Sequence, residues 1–311
     1  MTTVLITGAT GFLGAHMAAG ALAAGWSVRA GVRARSDRGR LNRLAPGADP
    51  VELDLGSADR IGQVLRGVDV VLHCAAYGVD YRQSDFHIAL DTNVTASMRL
   101  AEQANLAGIR MIHVGTAYEY GAEDGLLDED RRLDPTGIYG VTKAAATLAV
   151  RDLARRTGAP IVVVRPFGMY GPWEGSHKFV PMVMAASLTG QPVELTPGHQ
   201  ERDYLYVGDV VDACLALAVR TPFPAGALLN ICSGQGLSLR DLAGAAVAAI
   251  GGDPAVLRWG AKDYRAAESM RVVGTGDRLR TLVDGFATTG LVDGMARTAA
   301  AERLRIAAIP Q

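Results

Sequence analysis

Residues 3–14 read TVLITGATGFLG: a short β-favouring run, then a turn in which glycine returns every third position, at Gly8, Gly11 and Gly14. Where a strand ends in such a turn and feeds a helix, each glycine has a use. One makes the tight turn, one lets the backbone approach a ligand, and one lets the helix pack closely on the sheet. A helix beginning at Phe12 and Leu13 points unpaired N–H groups outward, toward the anionic pyrophosphate of a dinucleotide. At the first strand–helix junction of the chain, the loop predicts a dinucleotide site at Gly8, Gly11, Phe12, Leu13 and Gly14.

Further apolar runs follow at 27–32, 51–53, 68–74 (VDVVLHC), 111–114 (MIHV) and 161–164 (IVVV). Helical patterns at 12–24, 61–65, 93–107 and 139–156 separate them. Strands that are apolar throughout, rather than alternating, belong to a parallel sheet covered on both faces. The fold class is therefore α/β, a Rossmann-type doubly wound parallel sheet with a smaller C-terminal substrate lobe. After Arg165 the composition changes, and residues 166–204 are rich in Pro and Gly, with one helical stretch near 180–188. A strand–helix pair is expected from Tyr204 to Ala218 and a strand at 228–231. Ser238 caps a helix that ends at Gly251, and a last helix runs near 295–306. Residues 1–165 are predicted to form the dinucleotide-binding domain and 166–311 mainly the substrate lobe, with strands near 205 and 229 returning to the main sheet.

Composition removes several function classes. The chain has 311 residues, 31 basic and 32 acidic, and a net charge of -1. No basic field exists to draw in nucleic acid or an anionic membrane, so neither is expected as a partner. No run approaches the roughly 20 apolar residues that span a bilayer, and the N-terminal residues lack signal-peptide character, so a cytoplasmic location is expected. Cys74, Cys214 and Cys232 are odd in number and widely spaced, and the six histidines are scattered. Neither a disulfide framework nor a metal site follows from them. His73 and His113 each interrupt an apolar run and are expected to be hydrogen-bonded at strand ends.

Two further stretches carry chemistry. The second strand and its end read SVRAGVRARS over 27–36, with Arg33 and Arg35 where an acid would bind the ribose 2′-hydroxyl of NAD. Guanidinium groups there suit a 2′-phosphate, which favours NADP(H), with NAD(H) as the alternative. The second stretch is YGVTK, 139–143. Its spacing puts Tyr139 and Lys143 on one helix face, where a nearby ammonium is expected to lower the phenol's pKa and fit it for proton transfer. Thr116 follows an apolar strand, where its hydroxyl can hold a substrate oxygen.

Taken together, these pieces resemble the extended short-chain dehydrogenase/reductase family, in its nucleotide-sugar-modifying, NAD-dependent epimerase/dehydratase-like branch. The resemblance runs through TGATGFLG, Asp54-Leu55, His73-Cys74-Ala75-Ala76, Asn93-Val94, Thr116 ahead of Tyr120-Gly121, YGVTK, Arg165-Pro166-Phe167, Tyr170-Gly171-Pro172 and 201–207 (ERDYLYV). It implies Thr116, Tyr139 and Lys143 as the catalytic set, Lys143 also binding the nicotinamide ribose. Around the cofactor it implies Asp54 and Leu55 flanking adenine, Ala75 and Ala76 beneath the dinucleotide, Asn93, and Pro166, Phe167 and Gly168 near nicotinamide. Arg202 and Arg265 are implied as contacts to a substrate diphosphate, with guanidinium forks matching its oxygens. Tyr77, Tyr81, Tyr118, Trp173 and His177 fall in loops near the substrate sugar.

Departures from the family pattern narrow the reaction. Dehydratases of this family follow the threonine with Asp-Glu, and Ala117-Tyr118 stand there instead. Val32 stands where the epimerases carry the second-strand acid, and Gly168 replaces an asparagine near nicotinamide. The resemblance thus implies an NADPH-dependent ketoreductase of a nucleotide-linked deoxysugar, with C4 the expected position by analogy. An epimerase holding NAD, a reductase of a small natural-product ketone and a non-catalytic dinucleotide sensor are the alternatives. Homodimerisation through the helices around 94–107 and 139–156 is also implied.

Overall fold

A computed structural model describes residues 1–80, 82–121, 125–264 and 268–308. The first part of the chain holds β1 (Thr3–Thr7), α1 (Phe12–Ala23), β2 (Ser27–Val32), α2 (Gly39–Leu44), β3 (Asp49–Glu52), α3 (Ala58–Leu65) and β4 (Val70–His73). There follow α4 (Phe86–Ala89), a π-helical turn at Leu90–Thr95, α5 (Ala96–Leu106), β5 (Arg110–Val114), β6 (Gly125–Leu127), α6 (Gly137–Thr157) and β7 (Ile161–Pro166). Then come β8 (Gly168–Tyr170), α7 (Phe179–Thr189), β9 (Val193–Leu195), β10 (Glu201–Tyr206), α8 (Val207–Val219) and β11 (Leu228–Ile231). The chain closes with β12 (Gly236–Ser238), α9 (Leu239–Ile250), β13 (Leu257–Trp259), β14 (Arg271–Gly274), α10 (Asp277–Leu282) and α11 (Leu291–Ala307).

Seven parallel strands make the main sheet, in the order β11-β7-β5-β4-β1-β2-β3. The order reverses beside β1, and in sheets of this topology the ligand crevice lies at that point, at the carboxyl ends of the strands. Side-chain alternation divides the core between the two faces. Val4, Ile6, Val70, Leu72, Ile112, Val162 and Val164 pack with Leu13, Met17 and Ala18 of α1 and Val210, Val211 and Cys214 of α8. Leu5, Val71, Met111, Ile161 and Val163 point the other way, onto Ile61, Leu100, Ala101, Val150 and Leu153 of α3, α5 and α6. The central strands β1, β4, β5 and β7 are thus apolar on both faces while still obeying the period of two, whereas the edge strand β3 has no buried residue.

One expected strand goes elsewhere. β11 forms an edge of the main sheet, but the strand near 205 does not join that sheet. β10 pairs with β12 and β14 through Glu201–Asp203 and with β8 through Tyr204–Tyr206. The physical reason lies in its pattern: along ERDYLY only Asp203 and Leu205 are buried, the alternation of a strand covered on one side. Asp203 is buried because it works as a tie, accepting from Ser233 N and Oγ and from Gly234 N at 2.7–2.9 Å. Below this second sheet α7, α9 and α11 share their own core, with Val183, Met184, Leu242, Ala246, Met295 and Ala299 at its centre. No described helix is long and apolar enough to cross a membrane.

Candidate active site

The glycine loop closes on itself at the end of β1. Gly8 has φ +65°, a conformation that costs an L side chain dearly, and Gly11 N donates to Gly8 O at 2.9 Å. A Cβ on Gly8 would lie 2.7 Å from Ala75 N, and one on Gly14 would lie 2.2 Å from Gly8 O. The loop therefore rests on the segment leaving β4, and α1 rests on the loop. Gly11 caps α1 without a side-chain hydrogen bond, and the first turn carries no acid. Free N–H groups and the positive end of the helix are left for an anion, so these residues fit the pyrophosphate of a dinucleotide.

Tyr139, Lys143 and Thr116 come together across the crevice. The Thr116 hydroxyl favours the ionised form of the Tyr139 phenol, and the Tyr139 ring meets that of Tyr118 edge-on at 6.1 Å. Lys143 is buried, and its Nζ donates to Val114 O at 2.6 Å. Burial brings the ammonium down to about 8, with Glu119 and Cys74 opposing that shift. Tyr139 is pushed up rather than down, chiefly by burial and further by Glu119 and Tyr118. This reverses the direction expected from spacing, because desolvation of the buried phenol dominates, while the Lys143 amine points its hydrogen bond at the Val114 carbonyl. The phenol therefore keeps its proton.

Behind Thr116 lies a polar cluster, of which only the capping-box spacing Thr116-x-x-Glu119 is visible in the sequence. Glu119 is fully buried, and its Oε1 accepts from Thr116 N at 2.9 Å and Thr147 Oγ1 at 2.9 Å. Its Oε2 accepts from Arg165 Nε at 2.8 Å. Arg165 lies 4.6 Å over the Tyr120 ring, and Tyr120 Oη donates to Asn230 Oδ1 at 2.7 Å. A Cβ on Gly115 would lie 2.4 Å from Glu119 Oε1, so glycine at 115 makes room for the carboxylate. Burial pushes the Glu119 carboxyl up, against the pull of Arg165 and Lys143.

The two histidines of the strand ends differ. His73 bonds Thr7 Oγ1 at 2.6 Å and Ser97 Oγ at 2.8 Å, and burial takes it down to about 3. His113 has neither ring nitrogen hydrogen-bonded, contrary to expectation, because its neighbours within the sheet are apolar or already paired. Desolvation puts it well below the usual histidine range, with Lys143 and His73 adding to the effect.

Asn93 also departs from its expected role. Its amide is wholly buried and bridges Tyr77 N and O at 2.8–2.9 Å and Thr142 Oγ1 at 2.8 Å. Both N–H groups are committed, so Asn93 ties the loop after β4 to α6 instead of reaching a cofactor.

Arg33 and Arg35 are exposed just past β2, where Ser36 closes a turn on Arg33. Asp54 is exposed and caps Gly56 N, and Leu55 is half-buried. Ala75 and Ala76 are half-buried beside Gly8. Pro166 is buried, as is Phe167, whose ring packs with Ala117, Tyr120, Leu127 and Cys232, while Gly168 lies against Asp203 O. Among the substrate candidates, Tyr118 is 71% exposed. Trp173 adopts φ +62° beneath Arg43, His177 faces Asp80, and Arg202 Nη2 is paired with Glu268 at 2.5 Å. Tyr81 and Arg265 lie outside the described residues.

Arg40 was not anticipated: its Nε donates to Trp173 O at 2.9 Å and its Nη1 to Thr10 O at 3.2 Å, fastening α2 to the glycine loop. Neighbouring Glu174 is buried, with Oε2 unpartnered, and is pushed up to about 8 by desolvation.

The chain is 30% identical to a dTDP-glucose 4,6-dehydratase of Streptomyces griseus over 96% of its length and 94% of that protein's. Among solved structures it matches MoeE5 in complex with UDP-glucose and NAD at TM-score 0.84 and 30% identity, covering 98% of this chain and 99% of that one. It matches DesIV, a dTDP-glucose 4,6-dehydratase from Streptomyces venezuelae with NAD bound, at TM-score 0.86 and 26% identity, covering 98% of each. The model of the NAD dependent epimerase/dehydratase family matches residues 4–232. Matched by that family model over most of its length, and 30% identical to a relative that it covers almost end to end, the chain belongs to the NAD-dependent epimerase/dehydratase family of enzymes.

Proposed function

We propose that this enzyme uses NADPH to reduce a keto group, at C4 by analogy, of a nucleoside-diphosphate-linked deoxysugar. The observation that carries this reading is the acid-free end of β2. Arg33 and Arg35 stand exposed there, and a 2′-phosphate is drawn to such guanidiniums, whereas the NAD ribose finds no carboxylate. When bound, the dinucleotide supplies a hydride from nicotinamide C4. Gly8, Gly11, Phe12, Leu13 and Gly14 would hold its pyrophosphate, with Asp54, Leu55, Ala75 and Ala76 along its length and Pro166, Phe167 and Gly168 near nicotinamide.

The chain's own groups do the rest. Thr116 orients the substrate oxygen and Tyr139 gives it a proton, a task for which a phenol pushed up in pKa is in the correct protonation state. Lys143 places a positive charge next to the site. Arg202 would exchange Glu268 for the substrate diphosphate, and Tyr77, Tyr118, Trp173 and His177 would surround the sugar. Glu119 cannot serve as the acid or base of a dehydration, because both its oxygens are engaged and no surface of it is exposed. On this reading residues 1–165, with β11, carry the cofactor, and most of 166–311 carries the substrate.

Two copies associate through α5 and α6, covering Leu106, Val141 and Leu148, which are exposed in the single chain. Sedimentation at the mass of one chain would remove the dimer.

A second reading is an epimerase with tightly held NAD, favoured by the match to MoeE5 in complex with UDP-glucose and NAD. The deciding assay supplies the purified protein with NADPH and nucleoside-diphosphate 4-keto-6-deoxysugars. Net NADPH oxidation, with a thermal shift by NADP exceeding that by NAD, is expected. Copurified NAD with an epimerised product and no NADPH consumption would establish the second reading instead.

A further inference from the structure

We infer that Glu119 is the positioning residue of the Thr116–Tyr139–Lys143 site, its carboxylate clamping the Thr116 backbone to α6 and its charge holding Lys143 as an ammonium. This rests on the assignment of those three residues to the reacting site.

The geometry supports the clamp. Glu119 Oε1 takes hydrogen bonds from the Thr116 amide and from Thr147, which lies one turn beyond Lys143 on α6. One oxygen thus spans the segment carrying the hydroxyl and the helix carrying the phenol and the amine. Oε2 takes the Arg165 guanidinium, so three donors converge on two oxygens, the pattern of a carboxylate rather than an acid. The site is also shaped for it, since any side chain on Gly115 would occupy the position of Oε1.

The electrostatics support the second role. Lys143 is surrounded by Cys74 and His73 at the end of β4, His113 on β5 and Glu119 behind Thr116. The two histidines are held neutral and the Cys74 thiol is raised to about 12, so among the described residues Glu119, pushed up by burial but engaged by the Arg165 guanidinium at 2.8 Å, is the carboxyl group that favours the Lys143 ammonium. Arg165 and Tyr139 face Glu119 from the other sides. Arg165 stays charged, and Tyr139 keeps its proton. Removing the carboxylate would leave Lys143 and Arg165 as two buried cations with no anion between them, which disfavours the lysine charge.

The chain has three lysines, Lys143, Lys178 and Lys262, so the ε-methylene carbon of Lys143 can be followed through a pH titration by NMR without any substrate. The wild-type signal should titrate near 8. In Glu119→Gln it should move toward acid by about one pH unit. In Glu119→Asp, which keeps the charge but shortens the reach, Lys143 should titrate as in wild type while the Thr116 amide exchanges at least tenfold faster. A folded Glu119→Gln protein with the wild-type Lys143 titration would overturn the electrostatic role. Unchanged Thr116 exchange in Glu119→Asp would overturn the clamp, and that measurement stands even if Glu119→Gln fails to fold. Absence of turnover in the wild type on keto sugars would count against the proposed reaction and leave both readouts intact.

Discussion

Tyr139 lies one helical turn from Lys143, yet the two do not act as the spacing alone suggests. The ammonium is committed to Val114 O, and burial keeps the phenol protonated. Tyr139→Phe should therefore lower turnover by about 10²–10⁴-fold, the usual worth of a positioned proton donor. Dinucleotide affinity should be nearly unchanged, as isothermal titration would show, and a variant with wild-type turnover would remove the phenol from the mechanism. The residues legible in the sequence were those with fixed spacing: the three glycines, Tyr139, Lys143 and Thr116. Arg165 and Arg40 were not, because their roles depend on partners 46 and 133 positions away, and of Glu119 only the capping-box spacing to Thr116 can be read, its Thr147 partner lying 28 positions off. His113 was misread for the opposite reason. A histidine in a strand is ordinarily satisfied, and nothing in MIHV reveals that both ring nitrogens lack partners.

At the level of elements, α1 and the turn before it form one device. Gly14 lets the first turn of the helix press onto Gly8 O, and a methyl there would lie 2.2 Å from that backbone oxygen. Backbone on both sides leaves no flexible neighbour to yield, so Gly14→Ala should destabilise the fold by about 1–3 kcal/mol. It should also tilt the N–H groups of Phe12 and Leu13 and weaken dinucleotide binding at least tenfold, read by fluorescence titration. Tight binding with wild-type thermal stability would show that the loop tolerates a wider turn. The strands at the centre of the main sheet were legible because four to six buried residues leave a continuous apolar run, whereas the edge strand β3 buries none. The second sheet was not, since β6, β8 and β12 have three residues each and no period can be read from three. β10 was placed in the wrong sheet because its partners come from separate, short and mostly later segments.

Across the whole molecule, the order of the seven parallel strands puts the crevice between the loops after β1 and β4, and it also buries His73 and His113 in the middle of the sheet with rings 5.3 Å apart. Both are neutral in the folded chain, His73 down to about 3 and His113 well below the ordinary value. In the unfolded chain they titrate near 6.5, so below that pH the unfolded state binds more protons and stability falls as pH falls. Above about pH 7.5 neither histidine contributes any appreciable slope. Between pH 7.5 and 5 each should cost about 2 kcal/mol, the limiting slope being 1.36 kcal/mol per pH unit. Glu174, raised to about 8, works against this: the folded state holds its proton longer, so its contribution falls as pH rises from the ordinary carboxyl range to about 8. The histidine effect is isolated by His113→Leu, which deletes one titrating group and two unpartnered nitrogens without opening a large cavity. At pH 7 the variant should match or exceed the wild type, because a buried polar group without a partner is removed. Between pH 7.5 and 5 it should lose about 2 kcal/mol less than the wild type in urea unfolding. Equal losses in the two proteins would mean that His113 takes up its proton while folded, and that the centre of the sheet admits water.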